Sequence, residues 1–132
     1  MKKLIKALIV LLLALALLVL GGMAAMQAQA RKSMAELIAV PVILLSNVAD
    51  GVYEGVQETP LVKVTVAVTV QNHAITGIQL LRHENGRGAS AEALLEAMVQ
   101  ENTSEVGIVS GATMSSRVIT AAVRNALAKG VQ

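Results

Sequence analysis

Leu61-Val62-Lys63-Val64-Thr65-Val66-Ala67-Val68-Thr69-Val70-Gln71 alternates without a break. Val62, Val64, Val66, Val68 and Val70 fall on one side, and Lys63, Thr65, Ala67, Thr69 and Gln71 on the other. Successive side chains of an extended chain point to opposite faces, so this stretch predicts a half-buried β-strand with a valine face turned to the core. β-Branched residues suit such a pleated surface. Downstream, Gln71-Asn72-His73 turns the chain, and residues 74–82 return antiparallel. The apolar phase of the return slips between Ile75 and Ile78, beside Gly77, which predicts a bulge. Upstream, residues 47–50 read as a turn and residues 51–56 as a short first strand.

Beyond residues 83–88 the period changes. Ala91, Leu94, Leu95, Met98 and Val99 follow helical spacing, with Ser90 placed to cap the start, Glu92, Glu96 and Gln100 on the wet face, and Asn102 at the end. A second helix over residues 117–127 carries Val118, Ile119, Ala122, Val123, Ala126 and Leu127 on one face, with Gly130 just past its last turn. Two apolar helical stripes need a common surface, and the valine face offers it. The fold class is therefore α+β: a small antiparallel sheet of about three strands packed against two helices.

The chain of 132 residues begins with a different kind of segment. From Ala7 to Met26, 20 consecutive residues carry no charged or strongly polar side chain. As a helix they cover roughly 30 Å, the hydrocarbon thickness of a bilayer. Lys2, Lys3 and Lys6 precede the run. A cleaved signal peptide and an uncleaved anchor both fit, since Ala28-Gln29-Ala30 has the small-x-small look of a cleavage site; the length of the run favours the anchor. The lysine bias puts the N-terminus in the cytoplasm and the rest outside. The expected organisation is a signal anchor over residues 1–30, a connector over 31–46 and a domain over 47–132. The apolar stretch of residues 37–45, broken by Pro41, is too short to span and reads as an extended segment packing on the domain or lying at the membrane surface.

Removing the leading lysines changes the charge argument. The formal net charge is +2, but from residue 7 onward eight basic side chains face nine acidic ones. With a single aromatic residue, Tyr53, there is neither a basic stripe nor a stacking platform, which argues against nucleic acid as a partner. Cysteine is absent, so disulfides, lipoprotein anchoring, iron–sulfur clusters, thiolate zinc sites and c-type haem are excluded. His73 and His83 read as strand or loop residues, and no metal site or catalytic constellation is expected. Redox chemistry in such a chain needs an organic cofactor.

Chemistry concentrates between the two helices, in Val109-Ser110-Gly111-Ala112-Thr113-Met114-Ser115-Ser116. Gly111 permits backbone conformations closed to other residues, and Ala112 leaves room for a close approach. Free N–H groups and the dipole at a helix start favour anions, phosphate above all. Four hydroxyls cluster there. On these residues alone, plain N-capping by Ser115 or Ser116 is the simpler account.

Ser110-Gly111-Ala112-Thr113 followed by Ser115 resembles the flavinylation motif of the FMN-binding domain family, which includes the C subunit of the sodium-pumping NADH:quinone oxidoreductase and the G subunit of the Rnf complex. Residues 50–55 resemble the family's opening strand, 62–70 and 74–83 its paired strands, and 117–127 its closing helix, so the resemblance covers about residues 50–128. It implies FMN as cofactor, joined by a flavin transferase through a phosphoester to Thr113, with Ser110, Gly111, Ala112 and Ser115 shaping the recognised loop. The family motif commonly has an aspartate three residues before its first serine or threonine; here that position is Gly107. His83, Asn85 and Arg87 lie in a loop that resembles a flavin-side loop of the family, where Arg87 can meet a phosphate or a ring oxygen. Tyr53 can stack on the flavin ring, although a lone strand aromatic is more often core.

The function implied is an electron-transfer carrier: a single-pass protein of the cell membrane whose extracytoplasmic flavin domain works between redox partner proteins in the membrane or outside it. A flavin-dependent reductase that needs a partner, and a non-redox surface module that holds no flavin, are the alternatives.

Overall fold

The computed structural model describes residues 1–84 and 89–132. The chain divides into two compact units, Met1–Ala35 and Glu36–Gln132. The first is helical from Lys2 and belongs to α1 (Lys2–Ala39). Among the described residues, α1 is the one helix long and apolar enough to cross a membrane by length and composition. It does not stop at residue 30. Residues 31–39 hold no glycine or proline and are mostly good helix formers, so the helix continues into the expected connector. Pro41 then disfavours helical backbone at Val40, and α1 ends at Ala39.

The second unit is built on an antiparallel sheet of β1 (Gly51–Glu58), β2 (Lys63–Gln71) and β3 (Ala74–Glu84) in that spatial order. Val64, Val66, Val68 and Val70 of β2 are buried, as is Val62 just ahead of the strand. Each fully buried valine of this face contributes about 1.5–3 kcal/mol. The β1–β2 connection is closed by Thr59, whose Oγ1 accepts from the Val62 N–H at 3.0 Å. Between β2 and β3, Asn72 and His73 both hold left-handed backbone, φ 51° and 58°. Two such residues form the tight turn whose twist matches the flanking strands. The expected bulge is present: Thr69 pairs with Gly77 and Val70 with Ile75, which leaves Thr76 unpaired. A second irregularity leaves Leu81 out between the partners of Thr65 and Val66.

A 3-10 turn (Ala89–Glu92) leads into α2 (Ala93–Glu101). Ser90 lies inside that turn, so it does not serve as the helix cap expected of it. Asn102 takes left-handed backbone at the other end. The Thr103 and Asn102 N–H groups bond back to the Met98 and Val99 carbonyls, which closes the helix with a Schellman arrangement. The Asn102 side chain also accepts from the Ile75 N–H at 2.8 Å and so pins the helix end to β3.

α3 (Thr113–Ala128) buries Val118, Ile119, Ala122, Val123, Ala126 and Leu127, the six residues of the predicted apolar face, against the sheet. Gly55 is what lets β1 approach. A Cβ there would collide with the Ala122 carbonyl and stand 2.6 Å from the Ala126 nitrogen. Gly130 has a similar reason and not the left-handed helix ending read from its position: a Cβ would meet the Tyr53 ring at 2.5 Å. The Tyr53 hydroxyl donates to the Ala49 carbonyl at 2.9 Å. Finally, Leu37 is 4% exposed and belongs to this core, with Val40, Ile43 and Leu45 packed on its edge. The compact unit therefore begins at Glu36, ahead of the boundary drawn at residue 47.

Candidate functional site

The Val109–Ala112 segment is a reverse turn. The Ala112 N–H donates to the Val109 carbonyl at 3.0 Å, and Gly111, the third residue, has φ +80°. Positive φ at the third position is the requirement that selects glycine in such a turn. The turn delivers the chain into α3, whose first residue is Thr113. Ala112 stands at the cap position and makes no side-chain cap bond.

The four hydroxyls then sort by direction. Ser116 is 1% exposed; its Oγ donates to the Ala112 carbonyl at 2.8 Å and accepts from the Val109 N–H at 3.1 Å. It ties the turn to the helix from inside the first turn of α3, whereas the sequence alone suggested a cap. Ser115 is also buried and faces the sheet, 3.4 Å from His83 Nε2. Ser110 and Thr113 are exposed. Of the residues in the predicted site, the structure thus brings Ser110, Gly111, Ala112, Thr113 and Ser115 together in one turn and presents the two outer hydroxyls to solvent.

His83 and Glu92 form a contact that the sequence reading did not anticipate. The His83 side chain is only 2% exposed, and its Nδ1 lies 2.8 Å from Glu92 Oε1. Glu92, expected on the wet face, is exposed and also spends one oxygen on the histidine. Glu96, assigned likewise, is exposed and accepts from Gln100. Glu92, His83 and Ser115 have the spatial order of a nucleophile relay. A serine only 3% exposed offers no access to a substrate, so the chain of contacts is a structural tie that locks the first turn of α3 to β3. Either side of His83, Arg82 and Glu84 pair on the solvent face. Their hydrogen bond, and then their mutual attraction, hold the Glu84 carboxyl below the ordinary range and raise the Arg82 guanidinium. Both are exposed, and the pair is screened accordingly.

An anionic ligand fits this turn. α3 has sixteen residues, its first turn carries no acidic side chain, and its free N–H groups open beside Thr113. Arg117 follows Thr113 at the i+4 position, where helix side chains are neighbours. Tyr53 is elsewhere, packed on Gly130 at the far end of α3, so its place is structural. Asn85 and Arg87 lie outside the described residues.

A three-stranded sheet bearing two helices, with a phosphate-compatible turn opening the second, is the arrangement on which the family comparison bears. The chain matches the FMN-binding domain over residues 62–128, just over half of its length and every element from β2 to α3, and it belongs to that family. FMN is its cofactor. The opening strand β1 lies outside the matched span. No curated protein and no solved structure matches the chain.

Proposed function

We propose that this FMN-binding protein is a membrane-anchored, extracytoplasmic electron carrier whose flavin is held by a phosphoester at Thr113. The observation that carries the reading is the sorting of hydroxyls at the α3 start. Ser115 and Ser116 are buried and committed, while Thr113 heads the helix with its side chain exposed. A transferase can reach it. In the attachment step, Thr113 Oγ bonds to the FMN-side phosphorus of FAD, the pyrophosphate P–O bond breaks, AMP leaves, and the hydroxyl proton passes to the transferase.

The protein's own contribution is to hold the product. The phosphoester anion sits beside unpaired N–H groups and the positive end of α3, which favours it by about 0.3–1 kcal/mol at an exposed site. Bound FMN supplies reversible uptake and release of electrons. A permanent tether keeps its local concentration high where free FMN would be lost, which suits a carrier outside the cytoplasm. The apolar run of α1 and the lysines ahead of it support the anchoring and its direction. The partners are then the bilayer, the flavin transferase and redox proteins that give and take electrons.

The test is protein made together with a flavin transferase and run on a denaturing gel. Wild type should give a fluorescent band and a mass increased by FMN less one water. Thr113→Ala should lose both completely, while Ser110→Ala and Ser115→Ala keep a weaker band. An adduct that survives Thr113→Ala places the modified hydroxyl elsewhere.

A further inference from the structure

Thr113, Arg117, Thr120 and Arg124 share one stripe of α3. A cleft of 220 Å³ is lined by Arg117, Thr120 and Arg124 of that stripe together with Val106, Ile108 and Leu37. The two arginines differ. Arg124 is committed: it donates to the Val40 carbonyl at 3.1 Å and lies 3.7 Å from the Glu105 carboxylate. Each has a buried Nε without a hydrogen-bond partner, but Arg117, the nearer to Thr113, has in addition, among the described residues, no carboxylate within salt-bridge distance. A positive charge without a carboxylate partner, beside a cleft lined by both apolar and polar side chains, suits a ligand that is anionic at one end and carries a planar ring with a polar edge at the other.

We propose that this cleft seats the flavin tethered at Thr113, with Arg117 beside its phosphate and Ile108 against its ring system. The inference rests on the attachment reading above and adds where the ring goes. The reach agrees. Five ribityl carbons extend about 6 Å at ordinary C–C lengths, and Thr120 lies about 10 Å along the helix axis from Thr113. A phosphate near Arg117 thus delivers the ring over Thr120, opposite Ile108. The size is informative as well. Sites that enclose a ligand run from about 300 Å³ upward, so this cleft covers one side of the flavin and leaves the other open for electron exchange.

The experiment is acrylamide quenching of flavin fluorescence in full-length protein after transferase loading, with covalent attachment read separately on the gel. A half-covered ring should be quenched at about half the rate of FMN attached to a short peptide of the same turn. Ile108→Glu, at an exposed position that folding tolerates, should restore the peptide rate while keeping the gel band, and Arg117→Gln should move partway. Val52→Glu, an equally solvent-facing change on the outer side of β1, should behave as wild type. Peptide-like quenching in the wild type, or an Ile108→Glu protein still protected, overturns the seat while leaving the tether standing. If no sample shows the gel band, the tether is refuted, and free FMN titrated into the same proteins reads the cleft instead: protection by wild type and none by Ile108→Glu supports it, and equal titrations overturn it.

Discussion

The two ends of α3 are fixed by opposite means. Toward its C-terminus the helix lies against β1 with almost no side chain between them: Ala122 and Ala126 meet Gly55, and Gly130 meets the Tyr53 ring. The chain beyond it is then clamped by the Val48–Val131 bridge and by the Ala49 N–H on the Gly130 carbonyl, 2.8 Å. Toward its N-terminus the helix is held by hydroxyls, Ser116 reaching back to the turn and Ser115 reaching across to His83. Close backbone packing leaves nothing exposed and nothing adjustable. Hydroxyl ties fix the backbone equally well and leave the neighbouring positions, Ser110 and Thr113, facing outward from a rigid base. A functional group held by a second layer of locked residues is what a site of defined geometry requires.

The comparison breaks most visibly at Gly55. Gly55→Ala puts a methyl group where the Ala122 carbonyl and the Ala126 nitrogen already are, and β1 must move off the helix. Overpacking of this kind should cost about 3 kcal/mol in denaturant unfolding. The folded fraction should still take up covalent flavin, because the damage is at the other end of α3. A cost under about 0.5 kcal/mol, the range of a neutral surface change, would mean that the close approach is not what holds the helix.

At the hydroxyl end the effects should be smaller and should reach the site. Ser116→Ala strands the Val109 N–H and removes a bond to the Ala112 carbonyl, at a cost of about 1–2 kcal/mol. Because the turn that carries Thr113 loosens, attachment by the transferase should slow as well. Thr113→Ala is the contrast: an exposed residue replaced by a better helix former should leave the melting curve where it was. A Ser116→Ala protein with unchanged stability would show that the turn holds its shape without the tie.

How legible each part was in the sequence follows from how local its cause is. The β2 strand was readable because its alternation is complete within eleven residues, and the helical stripes for the same reason. The bulge beside Gly77 announced itself as a phase slip, but the one at Leu81 did not, since Leu80 and Leu81 are both apolar and conceal the change of face. Close approaches at Gly55 and Gly130 depend on what lies opposite, and no single stretch contains that information. The same holds for the tie among His83, Glu92 and Ser115, which come from three elements. Leu37 read as connector because its stretch is short and broken by Pro41. Only the folded core shows that its side chain is enclosed. The turn at Gly111 was legible by composition, yet which of its hydroxyls face outward follows from helix phase, once α3 is known to start at Thr113.

A similarly small change in stability, and the sharpest question about the hydroxyl end, concerns Gly107. It lies in the segment leading to the turn, two residues ahead of Val109, and it is exposed. A Cβ there meets nothing within 4 Å, and the backbone is outside the left-handed region, so a side chain is accommodated without strain. Gly107→Asp should therefore shift stability by no more than about 0.5 kcal/mol, with any gain coming from a less flexible unfolded chain. Attachment is where the variant should differ. Within the folded protein a new carboxylate has no partner to order, and near the phosphate it would repel, so any benefit must come from recognition by the transferase before the phosphoester forms. We expect the fluorescent band of Gly107→Asp to develop faster than that of wild type in a time course with limiting transferase. Gly107→Asn, which matches the shape without the charge, should follow wild type. If Asn accelerates attachment as much as Asp, the gain comes from ordering the loop and not from its charge; if all three time courses coincide, this turn is recognised without an acid at position 107.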